Sequence, residues 1–91
     1  MSLFIAESVE QFDEIVSEAK VVSPANESRL FVEITLAQGA PIWICRSDSV
    51  AKGKGILLVG TGSSFRCEDW LGAISATSEG ETRITGEIGY G

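Results

Sequence analysis

The chain has 91 residues, thirteen acidic and seven basic side chains, a formal net charge of −6, two cysteines and no histidine. Without histidine, imidazole catalysis and most zinc sites are excluded, so we predict no enzyme, no metal and no cofactor. The few scattered bases argue against direct nucleic-acid binding, and no apolar run approaches the roughly 20 residues of a membrane span. We expect one domain, residues 1–91, in the cytoplasm with reduced thiols.

The N-terminal part predicts a short strand at residues 3–6 and then an amphipathic helix. Ser8 and Gln11 fit a capping box, and Lys20 would lie in the last turn, where a cation favours the helix dipole. The apolar residues between them recur at helical spacing on one side: Val9, Phe12, Ile15, Val16 and Ala19. This pattern predicts a helix at about residues 9–20.

The polar side of this predicted helix is acidic, with no base before Lys20. The candidate partner-binding residues are Glu10, Asp13, Glu14 and Glu18. A row of carboxylates is either an ordinary solvated face or a docking surface for a basic protein, where complementary charge sets association rate and specificity. The sequence leaves both interpretations open.

Two strands are predicted between Arg29 and Arg46. Residues 30–37 have period-two alternation, Gln38-Gly39 offers a turn, and residues 41–46 are rich in strand formers. Joined as a hairpin with a two- or four-residue loop, they would place Ile34 beside Trp43 and Val32 beside Cys45, on the face covered by the helix. A three-residue loop would reverse this parity.

The second face of the same hairpin would carry Phe31, Ile42 and Ile44. The remaining chain is too short to cover them with certainty, although the segment around Trp70 is an alternative cover. An uncovered apolar patch is typical of an interface. We therefore predict self-association through Phe31, Ile42 and Ile44, giving a homodimer.

The rest of the chain predicts further strands. Residues 56–59 are apolar throughout, which favours a fully buried strand, and residues 82–90 alternate like a strand with Ile84 and Ile88 on one side. The segment 65–76 fits either a strand or a short second helix near 68–76.

Two motifs have ordinary interpretations. Residues 60–64, Gly-Thr-Gly-Ser-Ser, lack the third glycine of a dinucleotide-binding loop and the lysine of a phosphate loop, so they predict a plain turn. Cys45 and Cys67 are 22 positions apart, match no dithiol motif, and are predicted to be structural thiols.

These elements predict an α+β fold, with a single N-terminal amphipathic helix packed on a mostly antiparallel sheet of four to six strands. The corresponding function is a small, acidic, non-enzymatic interaction module, comparable to inhibitors, immunity proteins or nucleic-acid mimics, that binds a basic protein partner. Two alternatives stay open. One is a small-molecule-binding domain with Trp43 or Trp70 in its pocket, and the other is a structural subunit of a larger assembly.

Overall fold

A computed structural model describes residues 6–51 and 53–91 of the chain. Throughout these residues the regular secondary structure is β-strand, with no helix. The eight strands are β1 (Ser8–Val16), β2 (Lys20–Ser23), β3 (Arg29–Gly39), β4 (Ile42–Cys45), β5 (Ile56–Leu58), β6 (Ser64–Cys67), β7 (Ile74–Ser78) and β8 (Thr82–Tyr90). The described residues therefore include no helix that could cross a membrane.

The strands form two four-stranded antiparallel sheets, which we call sheet A and sheet B. Sheet A has the order β1-β8-β3-β6, and sheet B has the order β2-β7-β4-β5. Consecutive strands change sheet at every connection except the β4–β5 hairpin. The inward side chains of both sheets meet in one apolar core, so the architecture is a β-sandwich.

Alternation along each strand determines which side chains fill that core. In sheet A, Val32, Ile34 and Leu36 of β3 are fully buried, and Ile84 of β8 is buried beside them. In sheet B, the inward residues of the two central strands are equally inaccessible, and these are Ile42, Ile44, Ile74 and Ala76. The strand predicted at residues 82–90 is confirmed, and the side with Ile84 and Ile88 is the one that faces the core.

The predicted α+β fold and its helix at residues 9–20 are wrong. Residues 8–16 form strand β1, which pairs with β8 in an unbroken nine-residue register. Gln11, predicted to cap the helix, instead donates from Nε2 to Glu87 Oε1 on β8 at 3.1 Å. Pairing with β8 satisfies the backbone groups on one side of β1 along its whole length, whereas an isolated helix of this length is marginal in water. The β-branched residues Val9 and Ile15 also suit a strand. Of the strand predicted at residues 3–6, only Ala6 lies within the described residues, and it is outside any strand.

The predicted hairpin between β3 and β4 is also wrong, although both strands exist. β3 pairs with β8 and β6, and β4 pairs with β7 and β5, so the two belong to different sheets. The crossing begins at Gly39, whose φ of +111° is unfavourable for other residues. A Cβ at Gly39 would also overlap the Glu81 carbonyl oxygen. Because β3 and β4 do not pair, the predicted placement of Trp43 beside Ile34 and of Cys45 beside Val32 is also wrong.

Two smaller predictions also need correction. Strand β5 lies at an edge of sheet B, and Leu58 alone among its three residues is buried, so the stretch predicted as fully buried is half exposed. The second helix near 68–76 is absent, because residues 68–73 form an irregular loop and β7 begins at Ile74.

Arg29 connects the loop before β7 to the rest of the sandwich, although it is a charged residue with only 2% of its surface exposed. Its Nη1 donates to Ser23 Oγ at 2.9 Å and to the Pro24 carbonyl at 3.0 Å. Its Nη2 donates to the carbonyls of Trp70 and Gly72 at 2.7 and 2.6 Å. Desolvation lowers the pKa of the guanidinium, yet an arginine stays charged, so these four acceptors stabilise a buried cation.

Candidate interaction surface

Strand β1 is an open edge of sheet A. It pairs with β8 on one side, and no other described strand pairs with its second side. It is nine residues long, whereas the other three edge strands, β2, β5 and β6, have four, three and four residues. Its register contains no bulge and its sequence no proline, so the edge is regular as well as long. Such an edge presents unpaired backbone groups to another chain.

The ring of Phe12 anchors β1 to the sheet. Phe12 lies opposite Gly86 of β8, where a Cβ would come within 2.6 Å of the ring. The missing side chain at Gly86 therefore leaves room for the ring, which packs against the core. This contact fixes which β1 side chains face inward and which face outward.

The four predicted partner-binding acids all lie on or directly after this edge. Asp13 faces outward from sheet A, while Glu10 and Glu14 are on the inward side of β1 near the rim of the sandwich, and Glu18 follows in the turn to β2. They therefore flank both faces of an edge strand and do not form the single helical stripe that the sequence predicted. The structure keeps them together along one border of the molecule.

Two of these acids have cationic partners that the sequence did not indicate. Asp13 accepts two hydrogen bonds from Arg83 of β8, one of them from Nε at 2.9 Å. Glu14 Oε2 lies 3.7 Å from Lys20 Nζ. Glu10 and Glu18 are exposed and form no ion pair with the described residues. They are the two acids with charge still available to a partner.

Two apolar side chains, Val9 and Ile15, lie on the outward face of β1 together with Asp13. Val9 and Ile15 are 52% and 50% exposed. The sequence interpretation missed them as surface residues, because it assigned both to the buried side of a helix. Period-two counting would have separated them from Phe12 and Val16, since positions 9 and 15 share a strand face that positions 12 and 16 do not.

The pKa of Asp13 is lowered, chiefly by its hydrogen bonds from Arg83, while partial desolvation acts in the opposite direction. We expect an NMR titration to place the Asp13 carboxyl below an ordinary aspartate, and Arg83→Gln to raise it again. A depressed pKa stabilises the fold above the ordinary aspartate range, and that contribution disappears as the pH falls through the folded value. An unchanged Asp13 midpoint in Arg83→Gln would contradict the pairing.

The three residues predicted for self-association do not share a surface. Ile42 and Ile44 are buried in the core from sheet B, and Phe31 lies half-buried on the outward side of sheet A, with the Arg66 guanidinium 4.3 Å from its ring centroid. The exposed patch predicted from Phe31, Ile42 and Ile44 is therefore wrong. Burial within the chain itself accounts for the two isoleucines.

The other sequence motifs have structural roles. In residues 60–64, the amide of Gly62 donates to the Leu36 carbonyl of β3 and that of Ser63 donates to the Gly60 carbonyl within the turn, so both donors are already engaged. Cys67 is buried, and Cys45 Sγ lies 3.5 Å from the Lys54 carbonyl. No cluster of metal-ligating side chains occurs among residues 6–51 and 53–91.

A cleft of about 750 Å³ opens at the end of the sandwich where β3 begins. Its described lining mixes apolar and charged side chains, namely Ala6, Glu27, Arg29, Leu30, Phe31, Arg66, Glu68 and Leu71. Arg66 is already paired with Glu68 at 2.9 Å. Neither Trp43 nor Trp70 is among the described lining residues, so the pocket predicted around these tryptophans is not the one observed.

Comparisons of the chain with protein-family models, with curated proteins and with solved structures found no match.

Proposed function

We propose that this chain is a small, acidic, non-enzymatic interaction module that binds an extended basic segment of a partner protein along β1. The observation that supports this most strongly is the nine-residue, bulge-free edge strand with carboxylates on both sides. Strand addition to such an edge gains affinity from main-chain hydrogen bonds and specificity from alternating side chains.

Charge determines the chemistry of the partner. The chain carries a net charge of −6, and Glu10 and Glu18 retain unpaired charge among the described residues at this border. Lysine or arginine side chains of an added strand would meet these carboxylates, while its apolar side chains would cover Val9 and Ile15. Electrostatic attraction would also speed the encounter between the two proteins.

The ordinary alternative is that the acids only prevent the edge from pairing. Natural edges are protected by short length, lysine, proline, bulges or inward-pointing charges. Of these devices β1 has only charge, and it also exposes Val9 and Ile15, which favour pairing. A strand with both features fits selective pairing with an oppositely charged segment better than general protection.

A direct test uses a nine-residue peptide of alternating lysine and valine as the probe. We expect it to slow hydrogen exchange of the outward amides of β1 and to bind more weakly as salt rises, because exposed charges are screened. Glu10→Lys should weaken binding about tenfold, equivalent to about 1.4 kcal/mol. Its matched control is Glu68→Lys, the same charge change beyond the opposite edge of sheet A.

The result that overturns the proposal is equal binding by Glu10→Lys, Glu68→Lys and the original chain, or peptide-induced changes that avoid β1.

A second candidate function, small-molecule binding, is favoured by the 750 Å³ cleft, whose volume is within the usual range of ligand sites. Binding there would shift the NMR signals of Leu30, Phe31 and Leu71 and leave β1 unchanged.

A further inference from the structure

The cleft that opens where β3 begins has an apolar wall made by two segments of the chain. β3 contributes Leu30 and Phe31, and the loop before β7 contributes Leu71. The register between β3 and β8 shifts between Arg29 and Phe31, so Leu30 is an extra residue with no partner on β8. Such a bulge redirects a side chain, and here two consecutive apolar residues line the same cleft.

This wall is apolar surface that the core does not use. None of its three side chains is part of the buried apolar cluster of the described residues, and Leu71 is 48% exposed. The Phe31 ring lies across Gly89 of β8, where a Cβ would overlap it. The wall therefore faces an open cleft of about 750 Å³, which is large enough for a small molecule.

Hydrogen bonds hold the two sides of the cleft together. The amide of Asn26, in the turn that carries Glu27, donates to the Leu71 carbonyl at 2.9 Å. The Arg29 guanidinium joins the segment before β3 to the loop before β7 through the four hydrogen bonds described above. The cleft is therefore formed before a ligand arrives, which reduces the ordering cost of binding.

Four charged side chains of the described residues line the cleft, and three of them are already engaged. Arg66 donates from Nε to Glu68 Oε2 at 2.9 Å, so these two charges neutralise each other. Arg29 is 2% exposed and its Nη groups are occupied, so it offers no Nη donor to an anion in the cleft. Glu27 is exposed and its carboxylate has no partner among the described residues, so it is the charge still available to a ligand.

We propose that the cleft binds a small apolar monoamine. Its hydrocarbon body packs on Leu30, Phe31 and Leu71, and its ammonium group lies beside the Glu27 carboxylate. This names the ligand class of the second candidate function, small-molecule binding, on which it rests. Apolar contact supplies most of the affinity and Glu27 selects the charge, because an exposed ion pair adds only modestly to binding. The net charge of −6 also attracts cations to the surface.

Three probes of equal chain length separate charge from apolar contact, namely hexylammonium, hexanol and hexanoate. At about pH 7 the amine is protonated and the acid is ionised. NMR titration at low salt should shift the signals of Leu30, Phe31 and Leu71. We expect hexylammonium to bind about three- to fivefold more tightly than hexanol, within the range for an exposed ion pair, and hexanoate to bind most weakly.

Two pairs of variants assign the contacts. Glu27→Gln should abolish the preference for hexylammonium over hexanol and leave hexanol binding unchanged. Its matched control is Glu81→Gln, which removes the same charge at the other end of β8. Leu71→Asn should weaken all three probes at least about threefold, because it removes apolar contact. Leu57→Asn, at a similarly exposed leucine on edge strand β5, should leave them unchanged.

The outcomes separate the ligand class from the function on which it rests. Equal binding of hexylammonium and hexanol, tighter binding of hexanoate, or an ammonium preference that survives Glu27→Gln would overturn the amine and leave small-molecule binding intact. Hexylammonium shifts confined to β1 would also overturn it, since the probe would then lie at the acidic edge strand. If no probe shifts the cleft signals up to about 10 mM, which covers millimolar Kd values, the second candidate function fails as well.

Discussion

Replacing Arg29 with methionine should lower the free energy of unfolding by about 3–5 kcal/mol, because it leaves several buried neutral acceptors without a donor, at about 1–3 kcal/mol each. The guanidinium donates to four acceptors around it. Hydrogen bonds to a charged group contribute about 1.5–3 kcal/mol each, and desolvation of the buried cation offsets several kcal/mol of that sum. Methionine has a similar length but leaves the four acceptors unpaired, so the balance is strongly unfavourable.

Urea unfolding of Arg29→Met measures this loss, and Arg46→Met is the matched control. Arg46 is half exposed and makes a hydrogen bond to Asp69 at 3.3 Å, so its replacement should cost less than about 1 kcal/mol. Arg29→Lys should resemble Arg29→Met, because one ammonium group cannot reproduce the planar guanidinium fork. Equal stability of the Arg29 and Arg46 variants would show that the four bonds contribute nothing net.

Strands β3, β4 and β8 were predictable from sequence because their alternation is enforced by burial, whereas the central strand β7 lies in a segment that the sequence left open between strand and helix. β3 and β8 show this most clearly, since a one-residue shift would expose Ile34 or Ile84 to water. β1 is different because both of its faces are partly exposed at an edge. Val9, Phe12, Ile15 and Val16 then match helical spacing by coincidence, and the free edge of β8 that selects a strand lies some 70 residues away.

The pairing of the strands was not predictable from local sequence. The connection from β3 to β4 is short enough for a hairpin, but the chain uses it to cross between sheets. The grouping of Ile42 with Ile44 was correct, since alternation within β4 requires it. Which of the two β4 faces meets the core depends on sheet B as a whole, and no residue between 29 and 46 contains that information.

The candidate site shows the same division. The sequence grouped Glu10, Asp13, Glu14 and Glu18 as one stripe of a helix; the helix is wrong, but the four acids remain close along the chain in a strand. It did not indicate the partners of two of them, because Arg83 reaches Asp13 only through the pairing of the first and last strands. Long-range pairing therefore decides how much of the acidic charge is available to a partner.

Replacing Ile44 with lysine should unfold the chain at 25 °C. The hairpin interpretation would have placed this lysine in a dimer contact, where it would separate the subunits and leave each one folded. In the structure Ile44 is 1% exposed and belongs to the core cluster. An unpaired buried ammonium costs several kcal/mol, and the loss of an isoleucine from the core adds to it, against a net stability of about 5–10 kcal/mol for a domain of this size.

Ile56→Lys is the matched control, because Ile56 pairs directly with Ile44 across the β4–β5 hairpin and is 43% exposed. A lysine there can keep its ammonium group in water, so we expect a loss below about 1 kcal/mol. Circular dichroism and the dispersion of amide NMR signals distinguish the two variants. A folded Ile44→Lys chain with native signal dispersion would show that Ile42 and Ile44 do not face the core.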